Sequence, residues 1–166
     1  LEVTNCIVTS GFTFNTGNVA SALIRNNVFQ GVISITNAYF ANNICLNTTS
    51  ATVNVIFSTI RNNLAENAGV FAAGDGNQNS ISEAALFLGA AGNSTDGQWQ
   101  LRPGSPAIGA GETVSGITPD CGAFGTADPY RLSGIPPIPT IYSLTVPTAV
   151  PVGQPLNITI STRSNN

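Results

Sequence analysis

Apolar and polar positions repeat along the first seventy residues of the chain. An apolar residue, a spacer, two asparagines and a second apolar residue recur within residues 23–29, 39–45 and 59–65, and a weaker copy precedes them at 3–7. The period varies between sixteen and twenty residues, as counted from the pairs Asn26–Asn27, Asn42–Asn43 and Asn62–Asn63. A repeat of this length indicates a solenoid, in which each repeat forms one turn of the chain.

Short alternating runs lie between the asparagine pairs. Residues 32–36 and 51–57 alternate apolar with polar side chains and are rich in β-branched types, which favours strands over helices. A strand, an asparagine turn and another strand in every repeat predict stacked parallel strands. We therefore predict an all-β fold, a right-handed parallel β-helix (solenoid) with a C-terminal extended tail and β-hairpin. A β-sandwich with asparagine-rich loops stays open as the alternative.

The two asparagines of a pair suit two different positions. Asparagine tolerates the left-handed backbone conformation that a sharp corner requires, so one of each pair is expected at a corner. The other can point inward and stack on its equivalents, passing amide hydrogen bonds from turn to turn. A buried amide without partners costs about 1–3 kcal/mol, so such a ladder favours a single register. The expected corner and ladder residues are Asn26, Asn27, Asn42, Asn43, Asn62 and Asn63.

Charge is scarce, and its scarcity excludes several classes of function. Charged residues make up 8% of the chain, the net charge is −3, and histidine is absent. The scattered arginines form no basic stripe, so nucleic-acid binding is not expected. Low charge leaves little repulsion between copies and permits self-association. No apolar run reaches the roughly 20 residues of a membrane span. Because methionine is absent, we expect Leu1 to follow processing or to begin a fragment.

The repeat stops after Ala65, and we expect three parts in the chain. Residues 1–67 would form the β-helix coils, 68–133 the closing coils and loops, and 134–166 a proline-rich linker and hairpin tail. Within the second part, the apolar stretch 84–88 is predicted to be a strand.

The tail carries two alternating runs, 142–146 and 156–160, which predict the hairpin. A two-stranded hairpin is marginal alone, so we expect it to dock on its own solenoid or on a neighbouring copy. The expected self-association residues are Tyr142, Leu144, Val146, Leu156, Ile158 and Ile160.

A closing motif follows the repeat. Residues 101–111 read Leu-Arg-Pro-Gly-Ser-Pro-Ala-Ile-Gly-Ala-Gly, and residues 120–125 read Asp-Cys-Gly-Ala-Phe-Gly. With the asparagine repeat, these segments resemble the C-terminal part of secreted bacterial right-handed parallel β-helix repeat proteins of the pectate-lyase-like superfamily. The matching residues are Leu101, Pro103, Gly104, Ser105, Pro106, Ala107, Ile108, Asp120, Gly122 and Phe124.

The resemblance implies a fold and secretion. It implies no particular activity, because the superfamily mixes lyases, hydrolases and structural proteins. Cys121 stands where the family pattern has Ile or Val, which implies a buried apolar role for that thiol. The spacing of Cys6, Cys45 and Cys121 matches no metal or redox motif. We expect three buried apolar residues, with one disulfide as the alternative.

Groups that could perform catalysis are sparse. A β-helix glycoside hydrolase needs paired carboxylates, whereas the repeat region holds only Glu2 and Glu66, at its opposite ends. Without histidine or lysine, few general bases remain. We predict no catalytic residue, no metal and no cofactor; any polysaccharide lyase or hydrolase site would lie in preceding coils. The loop 75–83 is similar to the start of a calcium loop, but Leu86 replaces the bidentate acid and we expect a turn.

The leading functional hypothesis is a non-catalytic structural or adhesive protein, secreted or at the cell surface. A solenoid already in repeat at Leu1 presents an open edge that must be capped or paired. Head-to-tail pairing of copies at that edge would build a filament or a surface layer, so the expected partner is a second copy.

Two other hypotheses stay open. One is a polysaccharide-binding or polysaccharide-degrading module, whose partner is a cell-surface or extracellular polysaccharide. Its candidate stacking residues are Phe29, Tyr39, Phe40 and Trp99, although we expect most of them to fill the core. The other makes residues 134–166 a secretion or anchoring tail.

Overall fold

The computed structural model describes residues 1–15, 22–49, 52–56, 58–133 and 139–163. These residues are mostly β-structure with parallel sheets and almost no helix, which confirms the all-β prediction at that level. The chain divides into two compact units, Leu1–Tyr130 and Arg131–Asn166. Parts of two sequence predictions, the ends of the run 51–57 and the linker at 134–138, lie outside the described residues.

Within its described residues, the first unit contains eleven short strands. They are β1 (Glu2–Thr4), β2 (Ile7–Val8), β3 (Phe12–Asn15), β4 (Ala22–Arg25), β5 (Val28–Gln30), β6 (Ile33–Thr36), β7 (Ala38–Ala41), β8 (Ile44–Leu46), β9 (Val53–Ile56), β10 (Thr59–Arg61) and β11 (Leu64–Ala65).

These strands form three sheets, and the neighbours in each sheet are parallel. The sheet orders are β1-β4-β7-β10, β2-β5-β8-β11 and β3-β6-β9, so every third strand returns to the same sheet. In the first sheet, Val3 pairs with Ile24, Ile24 with Phe40, and Phe40 with Ile60. Equivalent apolar positions of successive repeats therefore lie side by side.

The alternation of side chains decides which face of a strand is buried. In β6, Ile33 and Ile35 are buried, whereas Ser34 and Thr36 between and after them are half-buried. Successive side chains of a strand point to opposite faces, so this run places its isoleucines in the core.

Aromatic rings continue from repeat to repeat through the core. The centroid of Phe29 lies 5.3 Å from that of Phe12 and 5.9 Å from that of Phe40. Phe71, from beyond the last strand of the unit, lies 6.3 Å from Phe40 and extends the series. Offset ring pairs at such distances stabilise beyond their buried area, so these contacts hold the repeats in register.

Asparagine occupies the sharp corners between strands. The first member of each pair has a positive φ, and so have three further asparagines: Asn26 (55°), Asn42 (57°), Asn62 (50°), Asn5 (52°), Asn37 (56°) and Asn47 (51°). This left-handed region strains most side chains, and asparagine is among the residues that tolerate it.

The predicted strand at 84–88 is wrong. The structure has a single helical turn, α1 (Glu83–Leu86), and Phe87 then forms an isolated antiparallel bridge with Leu101. Alanine and leucine are good helix formers, and one turn suffices to bury Leu86 completely. A second short turn, a 3-10 helix at Gly97–Trp99, places the ring of Trp99 edge-on against Phe87, with 5.4 Å between centroids.

The second unit contains one antiparallel pair of strands, β12 (Thr140–Thr145) and β13 (Thr159–Arg163). The second predicted run, 156–160, becomes a strand only at Thr159, where β13 starts. Leu156 and Ile158 precede the strand. The pairing register joins Leu144 to Ile160.

Candidate functional site

The second asparagines of the pairs form a buried ladder of amide groups. The backbone and side-chain nitrogens of Asn27 both donate to Oδ1 of Asn43, each at 3.0 Å. Asn43 donates in the same way to Asn63, at 2.9 and 3.1 Å, and Asn63 to Asn77, at 3.0 and 3.1 Å. We call these four residues the inner ladder. Three of them, Asn27, Asn43 and Asn63, are fully buried.

The inner ladder also binds the backbone of the neighbouring turns. Nδ2 of Asn43 donates to the carbonyl of Ile24 at 3.1 Å, and Nδ2 of Asn63 donates to that of Phe40 at 3.0 Å. Each amide thereby uses both its donor and its acceptor sites, which removes the free-energy cost of burying it.

At each end of the ladder the position is held by a residue that does not belong to an Asn-Asn pair. At the first turn Cys6 takes the position, its backbone nitrogen donating to Oδ1 of Asn27 and its thiol to the carbonyl of Thr4. At the last turn Asn77 is the final rung, a role that the sequence did not reveal because Gly76 precedes it in place of an asparagine. In the sequence, Asn77 lies in the loop 75–83, which is similar to the start of a calcium loop and gives no indication of a ladder position.

The first asparagine of each pair, and Asn5, form hydrogen bonds with a segment that follows the repeats. Residues 110–128, which we call the strap, run along the corners that these asparagines form. The hydrogen bonds that join the two include Asn62 Nδ2 to the Ala110 carbonyl (3.0 Å), Glu112 N to Asn42 Oδ1 (2.8 Å), Asn26 Nδ2 to the Asp120 carbonyl (3.0 Å) and Asn5 Nδ2 to the Asp128 carbonyl (2.7 Å). The strap therefore contacts the corners of the described repeats from Asn62 back to Asn5.

The first half of the closing motif leads into the strap. Leu101 bridges to Phe87, and Ser105 and Ala107 are buried. Ser105 Oγ accepts a hydrogen bond from the Ala107 nitrogen. Ile108 is half exposed, and Pro103, Gly104 and Pro106 are exposed.

The second half of the motif attaches the strap to the strands. The carboxylate of Asp120 accepts from the Gly109 nitrogen at 2.8 Å, and the Gly122 nitrogen donates to the Asn42 carbonyl at 2.9 Å. Gly122 has φ +90°, and a Cβ there would lie 2.8 Å from the Cδ1 of Ile44. Only glycine combines this backbone conformation with this close approach. Phe124 packs edge-on against Tyr130.

A groove of about 840 Å³ lies between the first sheet and the strap. Among its lining residues are Arg25, Tyr39, Glu112 and Phe124. The hydroxyl of Tyr39 donates to Glu112 Oε2, and Arg61 Nη1 donates to Oε1 at 2.9 Å. Both oxygens of Glu112 are thus engaged within the protein. Burial, and then the hydrogen bond with Glu112, raises the pKa of Tyr39, which keeps the phenol protonated.

The three cysteines are free thiols, so the disulfide that the sequence left open does not form. Cys45 and Cys121 are fully buried, while Cys6 is half-buried. Burial raises the pKa of Cys45, and it raises the pKa of Cys121 to about 12. A thiol that holds its proton so tightly is a poor nucleophile at neutral pH.

The aromatic candidates for sugar stacking separate into two groups. Phe29 and Phe40 are fully buried and Trp99 is 5% exposed, so all three fill the core and cannot contact a ligand. Tyr39 is half-buried and lines the groove.

Two acids outside the strap, Glu66 and Glu83, lie near each other. Glu66 accepts from the Asn47 nitrogen at 2.9 Å, and burial, followed by the charge of Glu66, raises the pKa of Glu83. In the loop 75–83, Asn79 donates to and accepts from the backbone of Phe71. No three His, Cys, Asp or Glu side chains of the described residues come together as metal ligands.

No family model, curated protein or solved structure matches the chain. In the part of the chain that the structure describes, no helix is long and apolar enough to cross a membrane.

Proposed function

We propose that Leu1–Tyr130 is the closing part of a right-handed parallel β-helix of the pectate-lyase-like type, and that its role is structural or adhesive and non-catalytic. The return of every third strand to the same sheet supports the solenoid. So does the inner ladder, because identical amides stack only where equivalent residues lie above one another.

The strongest support for a structural role is how the polar side chains are used. The side-chain amides of the inner ladder and of the corner asparagines form hydrogen bonds with neighbouring repeats and with the strap. Glu112 and Asp120, two acids of the groove, accept hydrogen bonds from Tyr39, Arg61 and the Gly109 nitrogen. Side chains that hold the fold in this way give it rigidity and leave few groups to transfer a proton.

The resemblance supports an extracellular location, and the low charge permits the chain to act with copies of itself. A filament or layer requires two association surfaces on each copy. One would be the edge at β1, β2 and β3, each of which is the outermost described strand of its sheet. Edge strands carry backbone groups that pair readily with another chain.

Electron microscopy and sedimentation of the purified full chain test this proposal together. We expect elongated particles whose size grows with concentration, and no product from acidic polysaccharides incubated with calcium. A monodisperse monomer at every concentration, or the release of sugar products, would contradict the proposal.

Polysaccharide binding in the groove is a second candidate. The observation in its favour is the ring of Tyr39, half-buried in a groove whose other lining residues include Arg25 and Phe124. Aromatic rings and hydrogen-bonding groups together are typical of ligand sites. On a glycan array, Tyr39→Ala would then lose binding and Tyr39→Phe would keep most of it; equal binding by both variants would refute this candidate.

A further inference from the structure

We infer that one face of the β12–β13 hairpin binds the same face of a second copy. This inference rests on the proposed function, for which it supplies the second association surface.

The two faces of the hairpin differ in chemistry. Paired residues of antiparallel strands point to the same side, and the register pairs Leu144 with Ile160. The neighbouring pairs, Ser143 with Ser161 and Thr145 with Thr159, point to the other side. Over residues 143–145 and 159–161 the hairpin therefore has an apolar pair on one face and hydroxyl groups on the other.

The apolar face is exposed. Leu144 and Ile160 are 58% and 56% accessible, and the residues that flank them are exposed as well: Tyr142, Val146, Leu156 and Ile158. A two-stranded hairpin is at best marginally stable in water, and a contiguous apolar face on a soluble protein marks an interaction site. A surface that covers this face would stabilise the hairpin.

The charge of the hairpin favours a second copy as that surface. Between residues 139 and 163 the only charged side chain is Arg163. Two identical faces therefore meet without repulsion between like charges. In a pair related by a twofold axis, the apolar face of each copy packs against the same face of the other copy. Two sheets packed face to face lie about 10 Å apart.

The area available is sufficient for such a pair. With the four exposed neighbours of Leu144 and Ile160 included in the contact, six side chains would contribute roughly 100 Å² each. A symmetric pair would then bury about 1,200 Å², which reaches the lower end of specific interfaces.

Sedimentation velocity over a range of concentrations tests the inference on the full chain. The test variant is Leu144→Thr with Ile160→Thr, which places β-branched residues with a preference for strands at both positions and makes the apolar face polar. The matched control is Ser143→Thr with Ser161→Thr on the opposite face. We expect the control to associate like the parent chain and the test variant to associate at least ten-fold more weakly.

The outcomes separate this inference from the proposed function. Undiminished association of the test variant would overturn the hairpin inference and leave association at the strand edge in place. Equal weakening by the control would show that the assigned face is wrong. A parent chain that stays monomeric at all concentrations would overturn both.

Discussion

The two units of the chain differ in the burial of their polar and apolar side chains. In Leu1–Tyr130 the fully buried residues include the amides of Asn27, Asn43 and Asn63, whereas in Arg131–Asn166 the exposed residues include Leu144 and Ile160. The difference shows that burial follows from available partners rather than from polarity alone. The cost of burying an amide is offset when its equivalents stack on it, whereas a single pair of strands has no second layer of its own to cover a leucine.

The largest expected effect comes from removing a central rung of the inner ladder. Asn43→Ala leaves the Asn27 nitrogen and the Ile24 carbonyl buried without their partners. We expect the free energy of unfolding to fall by about 5 kcal/mol. Urea unfolding followed by the fluorescence of Trp99, the single tryptophan, measures it. The exposed Asn54 of β9 is the control, and Asn54→Ala should cost less than about 0.5 kcal/mol. Equal effects of the two variants would mean that the ladder does not stabilise the unit.

The second largest effect is alkaline destabilisation of the first unit. Burial raises the pKa of Cys121 from 9.0 to about 12. The folded state then holds this proton more tightly than the unfolded chain, so the stabilisation is complete below about pH 9 and is lost as the pH rises through about 12. The loss reaches at most about 4 kcal/mol.

The variant Cys121→Val isolates this contribution, since Cys45, Tyr39 and Tyr130 also have raised pKa values. We expect the difference in unfolding free energy between the parent and the variant to change between pH 9 and pH 12. Parallel curves over that range would show that Cys121 titrates normally.

Substitutions at two glycines, one in each unit, allow the packing of the two units to be compared. Gly122 and Gly153 have nearly the same φ, +90° and +87°, but only Gly122 has side chains within reach of an added Cβ. Gly122→Ala should lower the unfolding free energy of the first unit by about 3 kcal/mol, from backbone strain and the clash with Ile44. Gly153→Ala should leave the Trp99 transition within about 0.5 kcal/mol. A similar shift for both would refute the contrast in packing.

The smallest effect is expected from the hairpin face. Leu144→Thr with Ile160→Thr should leave the Trp99-monitored unfolding free energy within about 0.5 kcal/mol of the parent, because these side chains are exposed. A large shift would mean that these side chains are not exposed in solution.

The strands and their parallel pairing follow from local patterns in the sequence. The alternation around Ile33 and the recurrence of Asn-Asn suffice to predict short strands and left-handed corners, because both depend on one residue and its neighbours. The hairpin was predictable for the same reason, although the start of β13 at Thr159 was not.

The strap and the groove could not be predicted, because they depend on contacts distant in sequence. Nothing near Glu112 indicates that its carboxylate meets Tyr39 and Arg61. The rung at Asn77 was missed because Gly76 breaks the pair that identifies the other rungs. The stretch 84–88 was misassigned because a short apolar run is compatible with a strand or a buried helical turn.

The most direct test of the buried ladder is hydrogen exchange of asparagine side-chain amides, measured by NMR on the full chain. If the inner ladder exists in solution, the side-chain amides of Asn27, Asn43 and Asn63 exchange far more slowly than that of the exposed Asn54. Fast exchange of all four would contradict a stack of turns joined by buried amides.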